Sequence, residues 1–371
     1  MKRKPSDEEM RMMLTPRRVR VAAGNMTYVK YEASDKSKKR NPVLCLHGFP
    51  DNPDTFMHLA RTLANRGHDV YVPYLRGYEI GTAKVDISFD CKTGVCDDLV
   101  TLINSLKLKQ EIHLIGHDWG AFIVSVLAQK IPESFASVTM MAVPHNFVPG
   151  AASLPRQLLK SWFVCLTFFS ISSLLHTQIH FTHRYMFFFQ IPILPEQWLM
   201  NWGGFERLVR SWSPTWTPPS MFLRSVKSTL NAKNVATCAL SYYRQFLGIP
   251  HVLVAVLLPV VWVLLMFVAI IVSFVKPNLI YDIWIQSCDH SISVPTLGLT
   301  GSNDGCVDTS LFDRGMTAYP QLFPKGVQVK RIQNCGHWLH LEQPDVVAKA
   351  IIKHLNDSER QEEESKKRSV D

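Results

Sequence analysis

The sequence predicts an α/β chain, with a mostly parallel central sheet and a helical segment inserted between two late strands. Three observations predict it. Short apolar runs of strand character alternate with longer runs at helical spacing, the pattern of parallel strands joined by crossover helices. Several of the short runs end in glycine-bearing polar motifs, where a doubly wound sheet carries its functional groups. The alternation stops over 147–290, a stretch rich in aromatics and prolines, and then resumes.

Taken in order, 26–32 (MTYVKYE) reads as a first strand, and 43–46 (VLCL) as a buried strand ending in HGFPD. Residues 68–74 form another, ending in LRGY. Residues 94–107 read as a helix, with Val95, Leu99, Leu102, Ile103 and Leu106 at helical spacing. The strand 111–115 runs into GHDWG, followed by an apolar helix to Lys130 that Pro132 closes. A strand at 137–142 leads to VPH. Beyond the interruption come strands at 295–300 and 326–332 and a helix at 344–355, with Val346, Val347, Ala350, Ile351 and Leu355 on one face. The organisation expected is a basic tail over 1–20, a core in two parts (21–146 and 291–356), a cap over 147–290 and a charged tail, expected to fray, over 357–371.

With 371 residues and 47% hydrophobic content the chain can bury one large core, or a core plus a cap. The net charge of +9 is concentrated at the start, where the first forty residues hold twelve Lys and Arg against five Asp and Glu. No nucleic-acid motif accompanies that arm, so it reads as a solvated, membrane-surface-seeking extension in preference to a nucleic-acid contact, with a charged terminus that merely keeps the chain soluble as an equal alternative. Residues 1–20 lack the apolar run of a secretion signal. The eight cysteines are therefore expected as reduced thiols facing the cytosol. Cys91 and Cys96 lack a second ligand pair for zinc.

The span 252–275 carries no charged residue in 24 positions, long enough to cross a bilayer at about 1.5 Å per residue. A single crossing would put Asp118 and His337 on opposite sides. The readings left are a re-entrant hairpin bent near Pro259, an interfacial helix, a buried core helix, an insertion that abolishes activity, or a faulty gene model. Monotopic attachment is favoured, which makes the chain membrane-associated with its core facing the cytosol; a cytoplasmic protein is the alternative.

The motif that carries chemistry is Gly116-His117-Asp118-Trp119-Gly120, between a strand and a helix. Its glycines permit a tight turn that lifts the central side chain out of the backbone. That central residue is Asp, which attacks carbon directly and forms an alkyl ester, where a Ser would point to an esterase. An acid follows a late strand in Gly301-Ser302-Asn303-Asp304, and a histidine follows the last in Cys335-Gly336-His337-Trp338. His47-Gly48-Phe49-Pro50 places a backbone turn where an oxyanion site would lie. Asp308 is a second candidate for the acid, and His58, His68, His113 and His117 are given no role.

On the stretches LHGFPD, LRGY, GHDWGA, VPTLGLTGSND, NCGHW and EQPD, the chain resembles the epoxide hydrolase branch of the α/β-hydrolase superfamily over most of 40–250 and 290–355. The resemblance implies the α/β-hydrolase fold with a helical cap, Asp118 as nucleophile, His337 as general base and Asp304 as its orienting acid. It implies an oxyanion hole from the backbone N–H groups of Phe49 and Trp119, beside His47 and Pro50. Two cap tyrosines, Tyr243 and Tyr185, would hydrogen-bond the epoxide oxygen, with Tyr242 a bystander. The implied substrate is an apolar epoxide, and the mechanism needs no metal or organic cofactor. Two alternatives stand beside it. One is a haloalkane dehalogenase, although such enzymes commonly carry Asn where this chain has Phe49. The other is an inactive membrane-associated binding protein on the same fold.

Overall fold

The computed structural model describes residues 16–37, 40–83, 94–145, 185–247 and 291–368. Strands β1 (Arg17–Val21), β2 (Gly24–Tyr31), β3 (Val43–Leu46), β4 (Val70–Pro73), β5 (Ile112–His117), β6 (Phe135–Met141), β7 (Thr296–Gly301) and β8 (Val327–Ile332) share one sheet. Its order is β1-β2-β4-β3-β5-β6-β7-β8. β2 pairs antiparallel with β1 and β4, and every pairing from β4 to β8 is parallel. β3 and β5 are buried at every position, as befits central strands covered on both faces, whereas β8 alternates at the edge. The connections diverge between β3 and β5, and the crevice outside their carboxyl ends is where such sheets bind ligands. The HGFP and GHDWG motifs both end there.

Helices α1 (Met57–Ala64), α2 (Val95–Leu106) and α3 (Trp119–Lys130) belong to the core. The cap supplies α4 (Tyr185–Phe188), α5 (Leu194–Asn201), α6 (Gly204–Trp212), α7 (Ser220–Leu230) and α8 (Val235–Leu247). After it come α9 (Thr309–Thr317), α10 (Leu339–Glu342) and α11 (Pro344–Arg368). One apolar cluster joins Leu99, Leu102, Ile123 and Leu127 to cap residues Phe205 and Val226; the other gathers Leu59, Leu63, Val347 and Ile351 on the opposite face. The sheet is thus covered on both sides.

Several boundaries differ from the sequence expectation. Residues 17–20, assigned to the basic tail, belong to β1, because Arg17–Val21 finds a full antiparallel register with Gly24–Tyr28. β5 runs through Gly116 and His117, so Asp118 follows the strand with no intervening loop. The segment from 357, expected to fray, stays helical to Arg368. Lys353 and Asp357 pair across one turn at 2.7 Å, and Glu359 holds Arg40 at 2.6 Å. α1 and α9 were not anticipated.

The membrane expectation is overturned. Among the described residues, no helix is long and apolar enough to cross a membrane. The longest, α11, is charged along much of its length, and its apolar residues serve the core. The apolar run 252–275 lies outside the described residues.

Arg76, in the LRGY loop after β4, forms a buried two-pronged pair with Asp98 of α2, Nε to Oδ2 at 2.6 Å and Nη2 to Oδ1 at 2.8 Å. Tyr242 of α8 donates to the Arg76 carbonyl at 2.8 Å, so this loop also anchors the cap. Removing one member of a buried ion pair strands the other. Asp98→Ala should therefore lower the unfolding free energy in urea titration by about 3–5 kcal/mol. A loss below about 1 kcal/mol would place the pair with ordinary surface bridges.

Candidate active site

Asp118 occupies the turn between β5 and α3 with φ 53° and ψ −120°, a left-handed conformation that a non-glycine residue adopts only when its surroundings force it. Its neighbours explain why two positions are glycine. A Cβ on Gly120 would lie 2.0 Å from the Leu46 carbonyl oxygen, and one on Gly48 would lie 2.4 Å from Asp118 Cβ. The turn is fixed by Asp118 N–H donating to the Met141 carbonyl at 3.1 Å and Ala121 N–H donating to the Asp118 carbonyl at 2.9 Å.

Both oxygens of the buried Asp118 carboxylate are engaged. Oδ1 accepts from Phe49 N–H at 2.7 Å, and Oδ2 lies 3.5 Å from His337 Nε2. On its other side, His337 Nδ1 meets Asp304 Oδ2 at 3.1 Å and Oδ1 at 3.3 Å. Asp304 Oδ1 also accepts from the N–H groups of Cys306 at 2.7 Å and Val307 at 3.1 Å, which fixes the carboxylate. Asp308, the other candidate acid, instead caps α9 by accepting from Ser310 and Leu311 N–H. The loop bearing His337 is tied to the cap: His337 N–H donates to Ser213 Oγ at 2.9 Å, and Ser213 Oγ donates to Glu342 at 2.6 Å.

The two cap tyrosines reach the same spot. Tyr185 and Tyr243 lie edge to face at 5.6 Å, and Tyr243 packs on Phe49, Trp119 and Phe189 at 5.0–5.1 Å. Tyr243 Oη is buried without a hydrogen-bond partner, and Tyr185 Oη lies 3.2 Å from Cys306 Sγ. Burial, reinforced at Tyr185 by Cys306 and at Tyr243 by Asp118, raises both phenols well above their ordinary value, so both keep their protons. Burial alone would lower His337. The charges of Asp304 and Cys306 and hydrogen bonds to Asp118 and Asp304 outweigh it and hold the imidazole well above its ordinary value.

The structure thus brings together Asp118, Asp304, His337, Tyr185, Tyr243, Phe49 and Trp119. Pro50 is buried after a cis peptide bond to Phe49. His47 turns both ring nitrogens to backbone: Nδ1 donates to the Gly48 carbonyl at 3.0 Å, and Nε2 accepts from Leu75 N–H at 3.1 Å. It braces the turn.

Two residues with supporting contacts were missed. His117 Nε2 donates to the His337 carbonyl at 3.0 Å, and its Nδ1 faces Asp51 Oδ2 at 3.6 Å, beside His340. Arg244 donates to the Phe189 and Ile191 carbonyls and pairs with Glu196 at 2.8 Å, holding the segment after α4 against α8. The signal for each was adjacency, to Asp118 in one case and to Tyr243 in the other.

The family model for the α/β hydrolase fold matches residues 41–186. That match, the eight-stranded sheet and the placement of Asp118, Asp304 and His337 at three strand ends agree. The chain has the α/β-hydrolase fold. In sequence it is similar to epoxide hydrolases. It is 34% identical to an epoxide hydrolase of Caballeronia sordidicola over 102 residues, which are 28% of this chain and 31% of the relative. The chain therefore spans less than a third of that relative's length. It is 24% identical to epoxide hydrolase 3 of Xenopus tropicalis over 344 residues, 89% of this chain and 75% of the relative. Among solved structures, an epoxide hydrolase from Vigna radiata superposes with a TM-score of 0.62 at 18% identity, covering 95% of this chain and all of that one, which is a likeness of fold.

The hydrogen bond to Asp118 is one cause of the raised His337 value, so Asp118→Asn should move the imidazole titration to lower pH by NMR. Unchanged titration would rule out that coupling. The folded protein holds this proton more tightly than the unfolded chain. The stabilisation is therefore complete below the ordinary value of 6.5 and fades as pH rises through the folded value.

Proposed function

We propose that the chain hydrolyses apolar epoxides to vicinal diols through an ester on Asp118. The observation that carries this reading is the Asp118 carboxylate itself. One oxygen accepts a backbone N–H, the other faces an imidazole, and two protonated tyrosines packed on each other feel its charge. An epoxide is strained but its oxygen leaves poorly, so ring opening needs a proton donor that is not ionised at neutral pH. Tyr185 and Tyr243 fill that role.

In this mechanism Asp118 Oδ2 attacks a ring carbon, the C–O bond of the epoxide breaks, and the tyrosines stabilise the alkoxide until it is protonated. His337 then takes a proton from water, whose oxygen attacks Asp118 Cγ. Charge develops on Oδ1, already bonded to Phe49 N–H, with Trp119 N–H at the start of α3 as second donor. One such donor is typically worth about 3 kcal/mol. The Cγ–Oδ2 bond breaks, and the diol leaves with the aspartate's own oxygen. Asp304 orients His337 and stabilises the imidazolium. Phe49, Phe189, Trp119 and Trp212 give the site apolar walls suited to an apolar epoxide. The elements from β1 to β6 and from β7 to α11 make the core, and the described cap helices α4 and α8 carry the tyrosines. The same pair of tyrosines favours epoxide over haloalkane, because a departing halide needs no proton donor.

A single turnover in oxygen-18 water with an apolar epoxide tests this reading by mass spectrometry. The first diol should carry no solvent label, and the label should appear in the Asp118 peptide. Labelled diol at the first turnover would overturn the ester mechanism. Tyr243→Phe should slow ester formation about 100-fold in rapid-quench measurements and leave ester hydrolysis nearly unchanged. Equal slowing of both steps would remove Tyr243 from ring opening.

A further inference from the structure

We propose that Asp118, Cys306 and His337 form a binding site for a zinc ion, which blocks the active site reversibly. The proposal rests on the reading of Asp118 and His337 given above and deepens it, because the inhibitory ion takes the same two groups. Cys306 has no part in epoxide chemistry, yet its sulfur is aimed into the site. One ligand atom each from Asp118, Cys306 and His337 fall within 4.8 Å of one another, and all three residues are buried.

The geometry is close to what zinc requires. Tetrahedral zinc, with bonds of about 2.0 Å to nitrogen or oxygen and 2.3 Å to sulfur, spaces its ligand atoms about 3.3–3.7 Å apart. Asp118 Oδ2 and His337 Nε2 are already 3.5 Å apart. Bringing in the sulfur takes about 1 Å of side-chain movement. His337 is also presented in the correct orientation. With Nδ1–H directed to Asp304, its buried Nε2 faces Asp118 Oδ2 and becomes a ligand once it gives up its proton. The donor Nδ1–H and carboxylate behind a ligating histidine are the usual outer support of a metal ligand.

Cys306 is held where a ligand must be held. Its N–H donates to Asp304 Oδ1 at 2.7 Å, and Gly305 N–H donates to the Trp212 carbonyl at 2.9 Å. A Cβ on Gly305 would lie 2.0 Å from the Ser211 carbonyl oxygen, so the loop sits tight against the cap. A mixed sulfur, nitrogen and oxygen set suits zinc among abundant divalent ions, whereas magnesium and calcium take oxygen ligands. On binding, the thiol proton and the Nε2 proton of the His337 imidazolium pass to solvent, and the metal takes the thiolate and the neutral imidazole. Asp118 then has one oxygen on the metal and cannot attack carbon.

The test uses metal binding as well as turnover, so that failure of the zinc site and failure of the epoxide reading are separable. Cobalt(II) titrated into the purified full chain should produce near-ultraviolet thiolate-to-metal absorption at one equivalent, and zinc should displace it. Cys306→Val should abolish that absorption and weaken zinc binding at least tenfold by competition with a chromophoric chelator. Cys306→Ser, nearly isosteric, should do the same and guards against misfolding of the valine variant. In the wild type, zinc should abolish epoxide turnover and a chelator restore it, while each Cys306 variant, measured against its own uninhibited rate, should need at least tenfold more zinc. Absence of the thiolate band in the wild type, or zinc affinity unchanged in both variants, would overturn the site.

Discussion

The structure depends on one steric constraint, the close approach of the β5–α3 turn to the ends of β3 and β6. Asp118 is held at φ 53°, and that conformation costs about 1–3 kcal/mol for a residue with a side chain. Contacts on every side hold it there. The Leu46 carbonyl occupies the space a side chain at position 120 would need, and the Met141 carbonyl takes the Asp118 N–H. Because the turn is this tight, the Phe49 N–H reaches Asp118 Oδ1 at 2.7 Å. A looser turn would take the Asp118 carboxylate away from that donor.

The second constraint is that the site is assembled from core and cap together. Ser213, just after α6, receives His337 N–H and donates to Glu342, so a cap residue sets the backbone at His337. From the other direction, Tyr242 donates to Arg76, whose side chain is locked on Asp98. Tyr243 is its neighbour on α8 and is therefore held near Asp118 by an anchored helix. Arg244 closes the third side by holding the carbonyls of Phe189 and Ile191. Three consecutive residues of one helix thus serve three purposes: anchoring, the site, and bracing the segment after α4.

How much of this was legible follows from how local each signal is. Buried central strands such as 43–46 are continuous apolar runs between turn motifs, and the structure places β3 at those same bounds. The three strand-end residues Asp118, Asp304 and His337 were legible because the chemistry fixes their types and the sheet fixes their order. β1 was not, since Arg17, Arg18 and Arg20 alternate with little that is apolar, and its pairing with β2 is a tertiary fact. The charged end of α11 looked ready to fray because its supports, Glu359 with Arg40 and with the buried His113, come from distant sequence. The membrane expectation rested on composition alone, and the helices that are described do not sustain it.

The electrostatics of His337 tie the two halves of the proposed reaction together. An imidazole this deeply buried would ordinarily favour its neutral form, yet its two carboxylate neighbours reverse that preference. Under the ester mechanism those neighbours are not permanent. When Asp118 becomes an ester it loses its charge, and its part of the support for the imidazolium is lost. The balance then tilts back towards the neutral base at the stage when a base is required. The proton His337 gives up corresponds to the one the alkoxide must acquire. The resting enzyme needs no free base beside its nucleophile, which would otherwise compete for the epoxide. Burial, a cost to any charged group considered alone, here supplies the sensitivity that lets a single change of charge at Asp118 switch the role of its neighbour.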